Sequence, residues 1–180
     1  WYFADPINQR GQAEYTVNNT AIYTIDRWQF SNYGKVSINV AGLVITGYTD
    51  NTELHYCNFG QTVDPSVFHN LQGKTITVSV LGSGIFGLFL EIDGTPQIAS
   101  YHTDNTMSVT SFTYTLPSEI DSMLITVQNT NTSEADVNIT ALKLELGPAQ
   151  TLARQDADGS WVLLNPPPNK ATELLKCQRY

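Results

Sequence analysis

Apolar residues fall on every second position in stretch after stretch of this chain. Val36, Ile38 and Val40 alternate with Ser37 and Asn39, and Ile76, Val78 and Val80 with Thr75, Thr77 and Ser79. Phe86, Leu88, Leu90 and Ile92 follow the same rule, as do Phe112, Tyr114 and Leu116, and then Met123, Ile125 and Val127. Apolar period two with Thr and Ser on the other face predicts half-buried antiparallel strands. Between the runs stand Asn32-Tyr33-Gly34, residues 70–73, Asp93-Gly94-Thr95-Pro96, Leu116-Pro117-Ser118 and residues 129–133, all read as turns. From Val137 and Ile139 the inward set sits on odd numbers, whereas Leu142, Leu144 and Leu146 sit on even ones, so a bulge is expected near Ala141.

Many short strands with bends of this kind predict an all-β fold, a two-sheet antiparallel jelly-roll β-sandwich over residues 1–147. The composition changes after Gly147-Pro148. Residues 148–180 are expected as a hairpin turning at Asp156-Ala157-Asp158-Gly159, a stiff Pro166-Pro167-Pro168 spacer and a short C-terminal helix from about Lys170, appended to the same domain. A further helical turn is expected around Pro65 to Asn70. No repeat of 20–50 residues suggests a propeller or solenoid.

Charged residues make up 14% of the chain, against about 25% in an ordinary soluble domain, so its polar surface must come from Thr, Ser, Asn and Gln. That argues against a Glu/Lys-rich helical bundle and a charge-driven disordered chain. Net charge is −8 with a pI near 4.6 and no basic cluster, which makes nucleic acid a poor partner. No apolar run approaches the ~20 residues of a membrane-spanning helix. The chain opens on Trp1-Tyr2-Phe3 without Met, as a trimmed or processed piece would. Cys57 and Cys177 allow at most one disulfide.

The chemical motifs have plainer explanations. Gly82-Ser83-Gly84-Ile85-Phe86-Gly87 fits a dinucleotide fingerprint, but strand residues follow where a helix must open, so a hairpin turn is expected. Asp156-Ala157-Asp158-Gly159 lacks the remaining oxygen ligands of a calcium loop and reads as an Asp-Gly turn. No metal or other cofactor is expected from the residues; a structural calcium elsewhere is left open, since no pattern fixes one. His55, His69 and His102 are isolated from one another and from cysteine. Glu91 and Asp93 would stand about 7 Å apart on one strand face, within the range used for glycoside cleavage, yet an exposed strand end before a Gly turn explains them more cheaply. No catalytic residue is assigned. Asp26-Arg27 reads as an ion pair tying two segments. The sequons at Asn18, Asn131 and Asn138 matter only in a eukaryotic secretory pathway.

Aromatic residues are the better ligand candidates. Phe89 falls on the strand face opposite the core, and Tyr33, Tyr48 and Tyr101 are expected in or beside loops. Aromatic faces with amide and hydroxyl neighbours grip sugars, although an oligomer interface uses the same residues.

Four blocks resemble one known family, the C-terminal modules of tail-fibre or minor tail proteins from phages and prophages of Firmicutes. They are WYFADPINQRGQ at residues 1–12, Tyr23-Thr24-Ile25-Asp26-Arg27-Trp28, residues 142–147 with 150–152 and 157–161, and residues 173–180 with their CQRY ending. The resemblance implies a jelly-roll module, similar to carbohydrate-binding modules, on a virion tail. Such a module adheres to bacterial surface glycans among other tail subunits, commonly as a homotrimer. It would be made in the bacterial cytoplasm. Trp1, Asn8, Gln9, Arg10, Asp26, Arg27 and Trp28 read as scaffold of that family. The alternatives are a structural or oligomerisation module of the tail and a carbohydrate-binding module of a bacterial glycan-degrading enzyme.

Overall fold

The computed structural model describes residues 1–3, 6, 11–25, 27–50, 53–130, 135–165, 169 and 171. Eleven strands and one helical turn follow in chain order: β1 (Glu14–Tyr23), β2 (Gln29–Asn39), β3 (Gly42–Asp50), β4 (Glu53–His55), β5 (Cys57–Thr62), α1 (Pro65–Phe68), β6 (Thr75–Ile92), β7 (Thr95–Thr115), β8 (Met123–Asn129), β9 (Val137–Leu146), β10 (Ala153–Gln155) and β11 (Trp161–Leu163). The chain is thus nearly all-β, and every strand pairing is antiparallel.

Changes of partner along β2 and β6 organise the molecule. β1 follows β2 throughout, while the other edge of β2 pairs with β5 over residues 29–32 and with β3 over residues 34–39. Likewise β7 follows β6, whose other edge pairs with β9 over residues 76–83 and with β8 over residues 86–92. The pairings run β2–β5–β8–β6 along a first wall and return β6–β9–β3–β2 along a second. One buried cluster joins them: Phe59, Ile125 and Leu88 of the first wall and Ile45, Val78 and Ile139 of the second all belong to it.

The passage from wall to wall corrects two of the expected turns. Asn32-Tyr33-Gly34 lies inside β2, at its change of partner, with Asn32 at φ 72°. A Cβ on Gly34 would stand 2.6 Å from the Thr46 carbonyl oxygen and 3.0 Å from the Cys57 Cβ, so only glycine lets β3 and β5 converge there. Gly82-Ser83-Gly84 is no hairpin either. β6 continues through it, and the register against β7 shifts between Gly82 and Gly84. Glycine signals a bend in a strand as strongly as a turn between strands.

The bulge expected near Ala141 is present: Leu81 pairs with Ala141 and Gly82 with Ile139, which leaves Thr140 over. Val137, Ile139 and Leu142 are buried as the parity requires, whereas Leu146 is exposed where the strand ends. Val40, expected inward, is 95% exposed because the β2–β3 turn begins there. α1 is capped by Asp64, whose side chain accepts from the Ser66 amide at 2.8 Å, and it buries Phe68.

Trp28 closes the core. Its ring stacks on Phe59 with centroids 4.6 Å apart and receives Trp1 and Phe3 edge-on at 5.4 and 5.3 Å. Aromatic pairs of this geometry add about 0.5–1.5 kcal/mol each beyond simple burial. On the outside, the β10–β11 hairpin forms a second small cluster in which Leu152 and Ala153 pack with Leu81 and Ala141, flanked by Trp161 and Tyr2. The proline spacer and C-terminal helix lie outside the described residues.

Candidate functional site

Strand alternation builds an outward face on the first wall. Phe30, Phe59, Val127, Leu88 and Ile98 turn toward the core, so their neighbours along each strand turn away from it. The pairings align these neighbours in rows. One row runs Ser31–Asn58–Gln128–Gly87–Tyr101, and the next runs Gln29–Gly60–Thr126–Phe89–Ala99. Neither row contains a lysine, arginine, histidine, aspartate or glutamate.

The aromatic end of this face is tightly built. The Phe89 ring lies back over Gly87, where a Cβ would come within 2.3 Å of the ring. Tyr101, on β7, meets Phe89 at 90° with centroids 5.8 Å apart and is 59% exposed. The polar middle is an amide pair: Gln128 Nε2 donates to Asn58 Oδ1 at 2.8 Å. That bond ties the two side chains and leaves Gln128 Oε1 as an acceptor, with N–H donors remaining on both amides. Gly60 keeps the floor low next to them, since a Cβ there would lie 2.8 Å from Thr126 Oγ1.

Of the four aromatic candidates, the fold brings Phe89 and Tyr101 together. Tyr33 and Tyr101 were expected in or beside loops; both lie within strands, because the Asn-Tyr-Gly signal marks a corner of β2 and β7 runs on for 21 residues. Tyr33 is half-buried in β2, with β5 and β8 between it and the strand of Phe89, about 14 Å away at ordinary strand spacing. Tyr48 lies in β3, opposite His55 of β4, away from these rows. Asn58, Thr126 and Gln128 were not singled out from the sequence. Alternation with Ile125 and Val127 marked Thr126 and Gln128 as outward, but only the β5–β8 pairing sets Asn58 beside Gln128.

The remaining chemical groups serve the fold. Asp93 Oδ1 accepts from the amides of Asp121 and Ser122 at 2.8 and 2.7 Å, pinning a loop rather than pairing with Glu91. His102 is buried against Phe86 with its rings parallel at 4.9 Å; Nδ1 lies 2.9 Å from Thr110 Oγ1 and Nε2 3.0 Å from the Thr106 carbonyl. Asp158 accepts from the amide and hydroxyl of Ser160, and these bonds hold its carboxyl below the usual range within the expected Asp-Gly turn. Arg27 reaches Asp64 at 3.9 Å; Asp26 lies outside the described residues. Burial pushes the Cys57 thiol up to about 12. Among the described residues, no three His, Cys, Asp or Glu side chains gather as a metal site, and no helix is long and apolar enough to cross a membrane.

No protein-family model and no curated protein matches the chain. Among solved structures it is similar to a CBM4 module, at 17% identity and a TM-score of 0.46 over 58% of this chain and 70% of that one. It is also similar to the xylan-binding module CBM15, at 12% identity and 0.44, over 78% of this chain and 100% of the other. The enzymatically active domain of bacteriophage CBA120 tailspike protein 4 is matched at 10% identity and 0.43, over 74% of this chain but 19% of that one. Likenesses of this size transfer no ligand, activity or partner to this chain.

Proposed function

We propose that this chain is a non-catalytic glycan-binding module that uses the outward face of its first wall. The observation that carries the reading is the Phe89–Tyr101 pair seated over Gly87, one strand from the Asn58–Gln128 amides. Sugar rings present C–H faces to aromatic planes and hydroxyls to amide groups, and the face offers both side by side. We further read the two walls as the sheets of a jelly-roll sandwich spanning residues 1–147, with 148–180 as its appendage. On the resemblance of the terminal blocks, the module would belong to a phage or prophage tail fibre or tail tip and serve host adsorption, as a homotrimer among other tail subunits.

The test is fluorescence binding to a panel of Gram-positive bacteria and their purified wall polysaccharides. It is run with the bare chain and with the chain on a trimerising coil, because weak sugar sites gain from avidity. Saturable binding to a subset of strains, competed by free sugar, is expected. Failure to bind in both formats would favour a structural tail module instead.

A further inference from the structure

Resting on this glycan reading, we propose that the face selects uncharged glycans and rejects polymers that carry phosphate or uronate groups, with the Asn58–Gln128 pair as its selecting element. Among the described strand residues that alternate outward beside Phe89 and Gln128, the group charged at neutral pH is Glu91, two residues beyond Phe89 on β6. Among the described residues of this face, an anion therefore meets a carboxylate and no cation. The two cations that flank this part of β2 are already engaged. Arg27, two residues before Gln29, reaches Asp64 at 3.9 Å, and Lys35, two residues after Tyr33, reaches Glu14 at 3.1 Å. Bringing an unpaired anion onto a half-buried surface costs free energy that only a charge partner would return, and the chain as a whole carries −8.

The amide pair sharpens the choice. With one Gln128 Nε2 hydrogen donated to Asn58 Oδ1 at 2.8 Å, the pair keeps Gln128 Oε1 as an acceptor and N–H donors on both amides. A sugar hydroxyl both donates and accepts, so neighbouring hydroxyls satisfy the two groups together. Phosphate and carboxylate oxygens only accept; they would meet Asn58 Nδ2 well and leave Gln128 Oε1 facing negative charge.

A glycan array decides the matter. It should carry neutral hexose, deoxyhexose and N-acetylhexosamine oligosaccharides beside uronic-acid, sialylated and poly(glycerol phosphate) ones, probed with the full chain and with the Phe89→Ala and Gln128→Ala variants, each checked by thermal melting. We expect all ligands to be neutral, with affinity changing less than about twofold between about 50 and 500 mM salt. Gln128→Ala should weaken them about tenfold, the loss of one hydrogen bond, and Phe89→Ala should abolish them. Anionic ligands that vanish in Phe89→Ala would overturn the selectivity while leaving the face in place. Neutral ligands indifferent to Phe89→Ala would overturn the face itself. An array without ligands would overturn both.

Discussion

The Phe89 ring rests over Gly87, two residues back along the same strand, so closely that a Cβ at Gly87 would stand 2.3 Å from Cε2 and 2.6 Å from Cζ. The atoms in the way belong to the far end of a side chain that can swing, not to backbone. Gly87→Ala should therefore fold, helped by the lower unfolded-state entropy of alanine, but with the ring displaced from its seat beside Tyr101. The expected outcome is a melting temperature within a few degrees of the parent and a loss of glycan binding as large as that of Phe89→Ala. Retained binding in Gly87→Ala would separate the ring's position from recognition.

Trp28 tests the core. It is fully buried, stacked on Phe59 and clasped by Trp1 and Phe3. Trp28→Ala should cost about 3–5 kcal/mol, and Trp28→Phe less because part of the stack survives. Urea unfolding of the three proteins measures this; a cost near 1 kcal/mol for the alanine variant would show that the neighbouring rings collapse into the space.

How the β10–β11 hairpin is held should depend on pH. Burial raises the Glu145 carboxyl, but the hydroxyl and amide of Thr151 and the Lys143 ammonium outweigh it, and the net shift is downward. A carboxyl with a depressed folded value stabilises the fold above its unfolded value, about 4.3, and the contribution is lost as pH falls through the folded value. Trp161, packed in the cluster under the hairpin, reports on this region. Its fluorescence should hold from pH 7 to about 5 and change below about 4. Glu145→Gln should reduce that acid transition to the part contributed by Asp158 in the β10–β11 turn, and Trp161→Phe should remove the signal.

Cys57 should be inert in the folded protein. The side chain is fully buried and its thiol is pushed up to about 12, so almost no thiolate exists near pH 8. With Cys177 replaced by serine, a thiol reagent at that pH should label the chain only after denaturant is added. Fast labelling of the native protein would mean that the junction of β2, β3 and β5 opens readily.

Much of the fold is legible in the sequence because strand periodicity is local. The alternation from Phe86 to Ile92 gave both the buried set and the outward position of Phe89, and the change of parity between Ile139 and Leu142 located the bulge. Partner choice is not local. Nothing in residues 82–84 distinguishes a hairpin turn from a bend inside an 18-residue strand; that depends on where β8 and β9 divide the edge of β6 between them. The candidate site divides in the same way. Phe89 was readable from its own strand and Tyr101 only as an aromatic expected in or beside a loop, whereas Asn58 and Gln128, 70 positions apart, become neighbours only through the β5–β8 pairing. Tyr33 and Tyr48 carry the same aromatic signal as the other two, and topology keeps them out of these rows.

The most direct test of the central claim is the affinity of the chain for purified wall polysaccharide, measured by fluorescence titration alongside a Phe89→Ala/Tyr101→Ala double variant whose circular dichroism and melting match the parent. The account predicts saturable, sugar-competable binding by the parent and at least a hundredfold weaker binding by the variant, about 2.7 kcal/mol. Equal binding by the two proteins would contradict it, because the glycan would then be held somewhere other than the Phe89–Tyr101 face.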